Sequence, residues 1–300
     1  MKKILFIINP NSGKQKIRND FFDIINLMSD YDCAVTCVIL KEPGDATKYA
    51  KSGCDSGEYD LIVCSGGDGT LNGTVAGIIQ SENKIPIGYI PAGSTNDYAR
   101  SMGIPPDAIE AAKVAVTGHT HEIDVGLIND KNFNYIASFG AFTAVSYSAP
   151  QTLKNHLGHM AYVLAGIKDI TNIKSCHAIF ECNGEKYEDD YIFGAVTNST
   201  SIGGMVRLDE ALVGFNDGLF EVCLVKKPRN PADLLKIMMG AANSDFSADC
   251  FDFFKASEIK VTMPDVVPWS LDGEKFDGAK NINIKVLKSA IKLNLEENRF

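Results

Sequence analysis

Asp60-Leu61-Ile62-Val63-Cys64-Ser65-Gly66-Gly67-Asp68-Gly69-Thr70-Leu71-Asn72 is the stretch that decides the fold. Its first half is a short apolar run, as expected of a strand buried on both faces. Its second half is a glycine turn, and from Leu71 to Ile79 the chain continues as a helix. A buried strand that ends in glycines and opens into a helix is half of a parallel βαβ unit.

The same alternation runs outward in both directions. Strands are predicted over Lys3 to Ile8, Cys33 to Leu40 and Ile85 to Ile90. Phe21, Phe22, Ile24, Ile25 and Met28 recur at helical spacing, Asp45 to Lys51 reads as a short helix, and another runs through Met102. Two further turns follow strand ends, Asn9-Pro10-Asn11-Ser12-Gly13 and Pro91-Ala92-Gly93-Ser94-Thr95-Asn96-Asp97. After Glu122-Ile123-Asp124-Val125-Gly126 the pattern changes. Short strand-like runs cover Tyr135 to Phe139, His177 to Cys182, Tyr191 to Thr197, Leu219 to Val225, Glu258 to Thr262 and Ile282 to Leu287. Asn183-Gly184, Asn216-Asp217-Gly218 and Asp272-Gly273 separate several of them, the pattern of an antiparallel sandwich or barrel. Helical stretches interrupt it at Thr152 to Ile170 and Pro231 to Met239. The expected fold is a doubly wound α/β domain followed by a mostly antiparallel β domain.

Composition limits what the chain does. Its 300 residues suit one large domain or two ordinary ones, and 45% hydrophobic with 22% charged residues is ordinary for a globular protein. The net charge of −9, from 29 basic and 38 acidic residues, argues against a nucleic-acid partner and against membrane attachment by bulk positive charge. Ile4 to Ile8 is too short for a signal segment, and no apolar run approaches the roughly 18 residues of a membrane span. The eight cysteines form no CxxC pair and several sit in apolar runs, which reads as buried free thiols in a reducing compartment. These features predict a soluble, cytoplasmic chain.

Chemistry concentrates in the three turns. In an open parallel sheet, ligands bind beyond the carboxyl ends of the strands. Glycine-rich turns there expose backbone N–H groups, and the helix that follows adds its positive end. Three such turns on one sheet edge predict a phosphate or nucleotide cradle. The sequence has no GxxxxGK[ST] loop, no GxGxxG after the first strand, no HExxH, no Cys/His zinc spacing and no GxSxG.

Gly66-Gly67-Asp68-Gly69-Thr70-Leu71-Asn72 resembles the GGDGT signature of the diacylglycerol kinase catalytic-domain family. That family includes soluble bacterial diacylglycerol kinases, related lipid kinases, and sphingosine and ceramide kinases. Asn9-Pro10-Asn11-Ser12-Gly13-Lys14 resembles its first nucleotide loop, Gly44-Asp45-Ala46 its second-strand exit, and Pro91 to Arg100 its PxGTxNDFAR segment. Ile123-Asp124-Val125-Gly126 marks the domain crossover, and Asn216-Asp217-Gly218-Leu219-Phe220 and Leu271-Asp272-Gly273-Glu274 resemble two acidic turns of the second domain. Three positions depart from the pattern: Ser94 stands for the usual Thr, Gly73 for an acidic residue and Ala76 for Asn.

The resemblance implies a phosphofructokinase-like α/β domain over residues 1–123, joined by a returning strand within 291–300, and a β-sandwich lipid-substrate domain over 124–290. It implies ATP in the cleft, held by Asn9, Pro10, Asn11, Ser12, Gly13, Gly66, Gly67, Asp68, Gly69, Thr70, Asn72, Gly93, Ser94 and Asn96. Asp68, Asp97 and Asp124 would share a catalytic Mg²⁺, partly through water, although Asp97 equally suits a helix cap. Glu274 would be the general base and, with Asp68, the catalytic pair, although Asp272-Gly273 is also an ordinary hairpin turn. Asp217 with the carbonyls of Gly214 and Leu219 would hold a structural Mg²⁺, against the alternative of a solvated turn. The implied reaction is ATP-dependent phosphorylation of diacylglycerol to phosphatidate, at the inner membrane face. The alternatives are kinase action on another lipid or a soluble substrate, in the manner of an NAD kinase, and non-catalytic nucleotide or lipid binding. A homodimer stays open. Thr152 to Ile170 reads either as a lipid-facing helix or as one packed on the sandwich, and Trp269 as core or substrate contact.

Overall fold

The computed structural model describes residues 1–13, 17–140, 173–202, 206–208 and 213–297, with 201, 202, 206 and 207 as backbone only. The helix expected over Thr152 to Ile170, and Lys14 of the first loop, lie outside these residues. The elements in chain order are β1 (Lys2–Ile8), α1 (Ile17–Asp30), β2 (Cys33–Ile39), α2 (Asp45–Ser56), β3 (Leu61–Gly66), α3 (Asp68–Ile79), β4 (Ile87–Pro91), α4 (Asp97–Ser101), α5 (Ala108–Thr117) and β5 (His119–Ile128). There follow β6 (Lys131–Phe133), β7 (Ile136–Gly140), β8 (Cys176–Cys182), β9 (Glu185–Thr197), β10 (Ser201–Ile202), β11 (Val206–Arg207), β12 (Phe220–Lys226), α6 (Pro231–Asn243), β13 (Phe251–Ala256), β14 (Glu258–Thr262), β15 (Trp269–Leu271), β16 (Glu274–Phe276) and β17 (Asn281–Leu295). They form two compact units, Met1–Asp124 with Lys288–Phe300, and Val125–Leu287.

The first unit is a parallel sheet in the order β2-β1-β3-β4-β17. Ile4 to Ile8 and Leu61 to Cys64 are fully or almost fully buried, as two-sided burial of central strands requires. The edge strand β2 is half-exposed, and there Cys37 is exposed, so burial does not extend to every thiol; all eight cysteines are free. The chain passes from β1 to β2 on one side and then crosses to β3 and β4 on the other. The order therefore reverses between β1 and β3, where doubly wound sheets open a crevice. The turns after β1 and β3 are Asn9 to Gly13 and Gly66 to Thr70.

Helix α3 packs on α2 through glycine. A Cβ on Gly77 would come within 2.4 Å of the Thr47 carbonyl and 2.8 Å of Ala50 Cβ. One turn earlier, a Cβ on Gly73 would meet Ala46 Cβ at 3.1 Å, and Thr47 Oγ1 donates to the Gly73 carbonyl at 2.9 Å. Gly73 therefore departs from the family pattern at a point where two helix backbones approach closely. Helix α5 was not expected from the sequence. Asp107 caps it, accepting from the Ile109 and Glu110 N–H groups, and its alanines pack on β4, where a Cβ on Gly88 would meet Ala115 Cβ at 2.5 Å.

Among the described residues the strands of the second unit pair antiparallel. The long strand β9 pairs with β8 through its first half and with β7 and β12 through its second. Phe133, Phe139, Phe180, Tyr191, Phe220 and Trp269 meet in one buried cluster. Trp269 is core: it is 1% exposed and its ring lies 4.8 Å from that of Phe139. Lys226 and Arg229, in the basic loop before α6, are engaged by Asp252 at 2.7 Å and Asp189 at 3.7 Å. Among the described residues no helix is long and apolar enough to cross a membrane.

The packing of α3 on α2 yields a prediction. Gly77→Ala inserts a methyl group against backbone and should cost about 1–3 kcal/mol, whereas Gly73→Ala makes no contact closer than Ala46 Cβ at 3.1 Å and should cost less. The denaturation midpoints of the two variants measure the difference.

Candidate active site

The three turns of the first unit meet through their backbones. The Asn9 N–H donates to the Ser65 carbonyl at 2.9 Å, and Asn9 Nδ2 donates to Thr70 Oγ1 at 3.0 Å, tying the first turn to the second. Asn9 Oδ1 accepts the Asn11 N–H at 3.1 Å and shapes its own turn. Gly13 has φ +51°, and a Cβ there would lie 2.4 Å from the Ala92 carbonyl, which brings the first turn against the third. A Cβ on Gly93 would lie 2.7 Å from Gly67 Cα, which brings the third against the second. Asn96 braces that third turn, accepting the Gly93 N–H at 2.8 Å and donating to the Gly93 carbonyl at 3.1 Å. Ser94 is exposed on it and Ser12 is buried behind the first.

Asp68 is the first residue of α3, whose N-cap position is Gly67 and carries no side-chain cap. An uncapped helix start leaves backbone donors and the positive end of the dipole for an anion. The Asp68 carboxylate turns to the neighbouring helix instead. Its Oδ2 accepts the Asp97 N–H at 3.3 Å and Thr95 Oγ1 at 3.4 Å, and its Oδ1 accepts the Tyr98 N–H at 3.4 Å. So α4 is capped by Asp68 from another loop, and Asp97, at the first helical position, is not its cap. The Asp97 carboxylate faces Arg100 instead, with Nη1 3.6 Å from Oδ1. These contacts to Asp68 are long, and a carboxylate has about four lone-pair positions, so acceptor capacity remains for a cation. Asp124, on β5, is fully buried, and its Oδ1 accepts the Ser289 N–H from β17 at 2.7 Å. Among the described residues no three His, Cys, Asp or Glu side chains gather closely enough to hold a metal directly. A divalent ion bridging Asp68, Asp97 and Asp124 would therefore need water ligands.

In the second unit Glu274 is exposed at the start of β16, opposite Leu271 across the Asp272-Gly273 turn. Both turn residues have positive φ, 49° and 88°, the type I′ geometry of a two-residue hairpin. The sequence signal was thus a true hairpin turn, but Asp272 does more than turn the chain. It is buried, and its carboxylate accepts three successive backbone N–H groups, from Asn134 at 2.6 Å, Tyr135 at 3.0 Å and Ile136 at 3.1 Å. Its own N–H donates to the Ile136 carbonyl at 2.9 Å. The tip that carries Glu274 is locked onto the start of β7, and sequence reasoning missed the residue that does it. Asp217 also sits in a tight loop. Its Oδ1 accepts the Leu219 N–H at 2.9 Å, and a Cβ on Gly214 would come within 2.4 Å of its Oδ2.

Comparison with known proteins accords with this geometry. Residues 3–128 match the family model described as the diacylglycerol kinase catalytic domain, and residues 136–294 match the YegS C-terminal NAD kinase beta sandwich-like domain. A diacylglycerol kinase of Bacillus subtilis (strain 168) is 33% identical, with 91% of this chain and 90% of that one covered. The chain belongs to the diacylglycerol kinase catalytic-domain family. A diacylglycerol kinase of Staphylococcus epidermidis (strain RP62A) is 30% identical over 97% of this chain and 92% of that one. A crystal structure of a diacylglycerol kinase from Bacillus anthracis str. Sterne shares the fold, with a TM-score of 0.76 at 21% identity, covering 100% of this chain and 98% of the other. Family membership makes the protein a lipid kinase by class. Most of its second unit falls within residues 136–294, which match the sandwich-like domain model.

The Asp272 contacts yield a prediction. Asp272→Ala leaves three backbone donors without their carboxylate and should lower stability by at least about 2 kcal/mol, measured by chemical denaturation.

Proposed function

We infer that this protein transfers the γ-phosphoryl group of ATP to the free hydroxyl of diacylglycerol, giving phosphatidate and ADP. The observation that carries this reading is the meeting of three glycine turns at the switch point of a parallel sheet, with Asp68 at the head of α3. Phosphoryl transfer needs little covalent help from a protein; positioning and charge stabilisation supply most of the rate. Backbone N–H groups of the turns at Asn9 to Gly13, Gly66 to Thr70 and Gly93 to Asn96 are suited to cradle the phosphates. Asp68, with Asp97 and Asp124 through water, would hold the Mg²⁺ that neutralises charge on the phosphates. The hydroxyl oxygen attacks the γ-phosphorus, the bond to the β,γ-bridging oxygen breaks, and Glu274 takes the hydroxyl proton.

The choice of lipid rests on two supports. The relatives that match over nine-tenths of this chain are named diacylglycerol kinases. The second unit matches the sandwich-like domain model over residues 136–294. A lipid substrate also requires the protein to visit a membrane surface, and with no spanning helix among the described residues that visit would be peripheral.

A mixed-micelle assay with labelled ATP tests the reading. Diacylglycerol should be phosphorylated in preference to sphingosine, ceramide, phosphatidylglycerol and undecaprenol. Glu274→Gln should lower kcat by about 100-fold or more with an unchanged melting temperature. Wild-type turnover in that variant would remove Glu274 from its role, and preference for another alcohol would overturn the substrate.

A further inference from the structure

Besides Asp272, the second unit buries the Glu221 carboxylate, which the proposed reaction does not use. Glu221, on β12, has no exposed surface, and it stands opposite Lys255 on β13 in the antiparallel register. Lys255 Nζ lies 3.0 Å from Glu221 Oε1 and 3.5 Å from Asp217 Oδ2. Among the described residues Glu221 Oε2 is buried with no hydrogen-bond partner. A carboxylate in such a place is tolerated only with a cation beside it, so Glu221 fixes Lys255 where a surface lysine would be free to swing away.

Asp217 is the residue that family resemblance assigns, with the carbonyls of Gly214 and Leu219, to a structural Mg²⁺. The groups around Asp217 suit a monovalent partner. Asp217 Oδ1 accepts the Leu219 N–H, and Oδ2 faces the Lys255 ammonium, which Glu221 also holds. A divalent ion on Asp217 would sit beside this fixed positive charge, and like charges at such separations repel strongly in a partly buried setting.

We propose that Lys255 is the built-in counter-ion of the 214–219 loop: shared between Glu221 and Asp217, its ammonium holds the loop without a divalent cation and opposes the binding of one there. Glu221 is the positioning residue for Lys255, and Asp217 is the carboxylate the pair serves. The proposal concerns the second unit alone and stands whether or not the lipid substrate is diacylglycerol.

Magnesium chloride titrations of the nucleotide-free, full-length protein test it by calorimetry and by thermal melting with and without EDTA. Any difference between the wild-type melting temperatures in the two conditions should be the same in Asp217→Asn. The double variant Lys255→Met with Glu221→Gln removes both charges together, so no buried carboxylate is left bare. It should bind Mg²⁺ at least about tenfold more tightly than wild type, one step of the affinity scale, and gain a Mg²⁺-dependent rise in melting temperature. Adding Asp217→Asn should abolish that gain, which separates this site from any ion at Asp68. A wild-type melting temperature that falls on chelation by more than that of Asp217→Asn overturns the proposal, even where the double variant does not fold. So does a folded double variant that responds to Mg²⁺ no more than wild type. Neither readout uses turnover, so a failed kinase assay and a failed metal titration stay distinguishable.

Discussion

Two glycines, Gly67 and Gly93, stand so close that a methyl group on Gly93 would lie 2.7 Å from Gly67 Cα. This contact sets the geometry of the candidate nucleotide site. It follows from the sheet: β3 and β4 run in parallel with Gly66 beside Pro91, so the chains leave the same edge at the same level. The absence of a Cβ at Gly93 lets the two turns stay together beyond that edge. Asp68 then emerges one residue after Gly67 and reaches the first N–H groups of α4. With a larger residue at Gly93 the turns would splay, and the carboxylate would lose the helix it caps.

The second unit holds its candidate base by other means. There is no close glycine contact at the Glu274 hairpin. A buried carboxylate, Asp272, instead collects the three N–H groups at the start of β7. Both devices satisfy backbone donors that would otherwise be stranded. They differ in what they tolerate: the glycine contact fails by steric bulk, whereas the carboxylate nest fails by loss of charge and acceptor.

Much of the framework was legible from residue pattern. The central strands read as continuous apolar runs because both faces are covered, and turns such as Asn183-Gly184 and Asp272-Gly273 carry residues that accept positive φ. Other parts were not. The strands β6, β15 and β16 have three residues each, too few for a period to show. Helix α5 was hidden because its buried face is mostly alanine, which carries little hydrophobic signal but fits against Gly88. The exposed thiol of Cys37 lies in an apolar run that resembles a core strand, and only the sheet order makes β2 an edge. The capping of α4 also escaped the sequence, because Asp97 stands where a local cap is expected while the capping carboxylate lies 29 residues earlier.

The sequence by itself determined the alternation of strands and helices, the three glycine turns at strand ends, and the family those motifs resemble. These are local properties: periodicity, backbone freedom and the spacing of a few residue types. Only the tertiary structure decided which turns touch, that Asp68 caps α4, that Asp272 anchors the Glu274 hairpin, and that Lys255 stands between Glu221 and Asp217. Each of these joins residues far apart in the chain, from 26 positions for Gly67 and Gly93 to 138 for Asp272 and Asn134. The physical reason is the same in every case. A charged or polar atom is satisfied by whatever the fold brings within about 3 Å of it, and that neighbour is chosen by sheet order and register rather than by chain position.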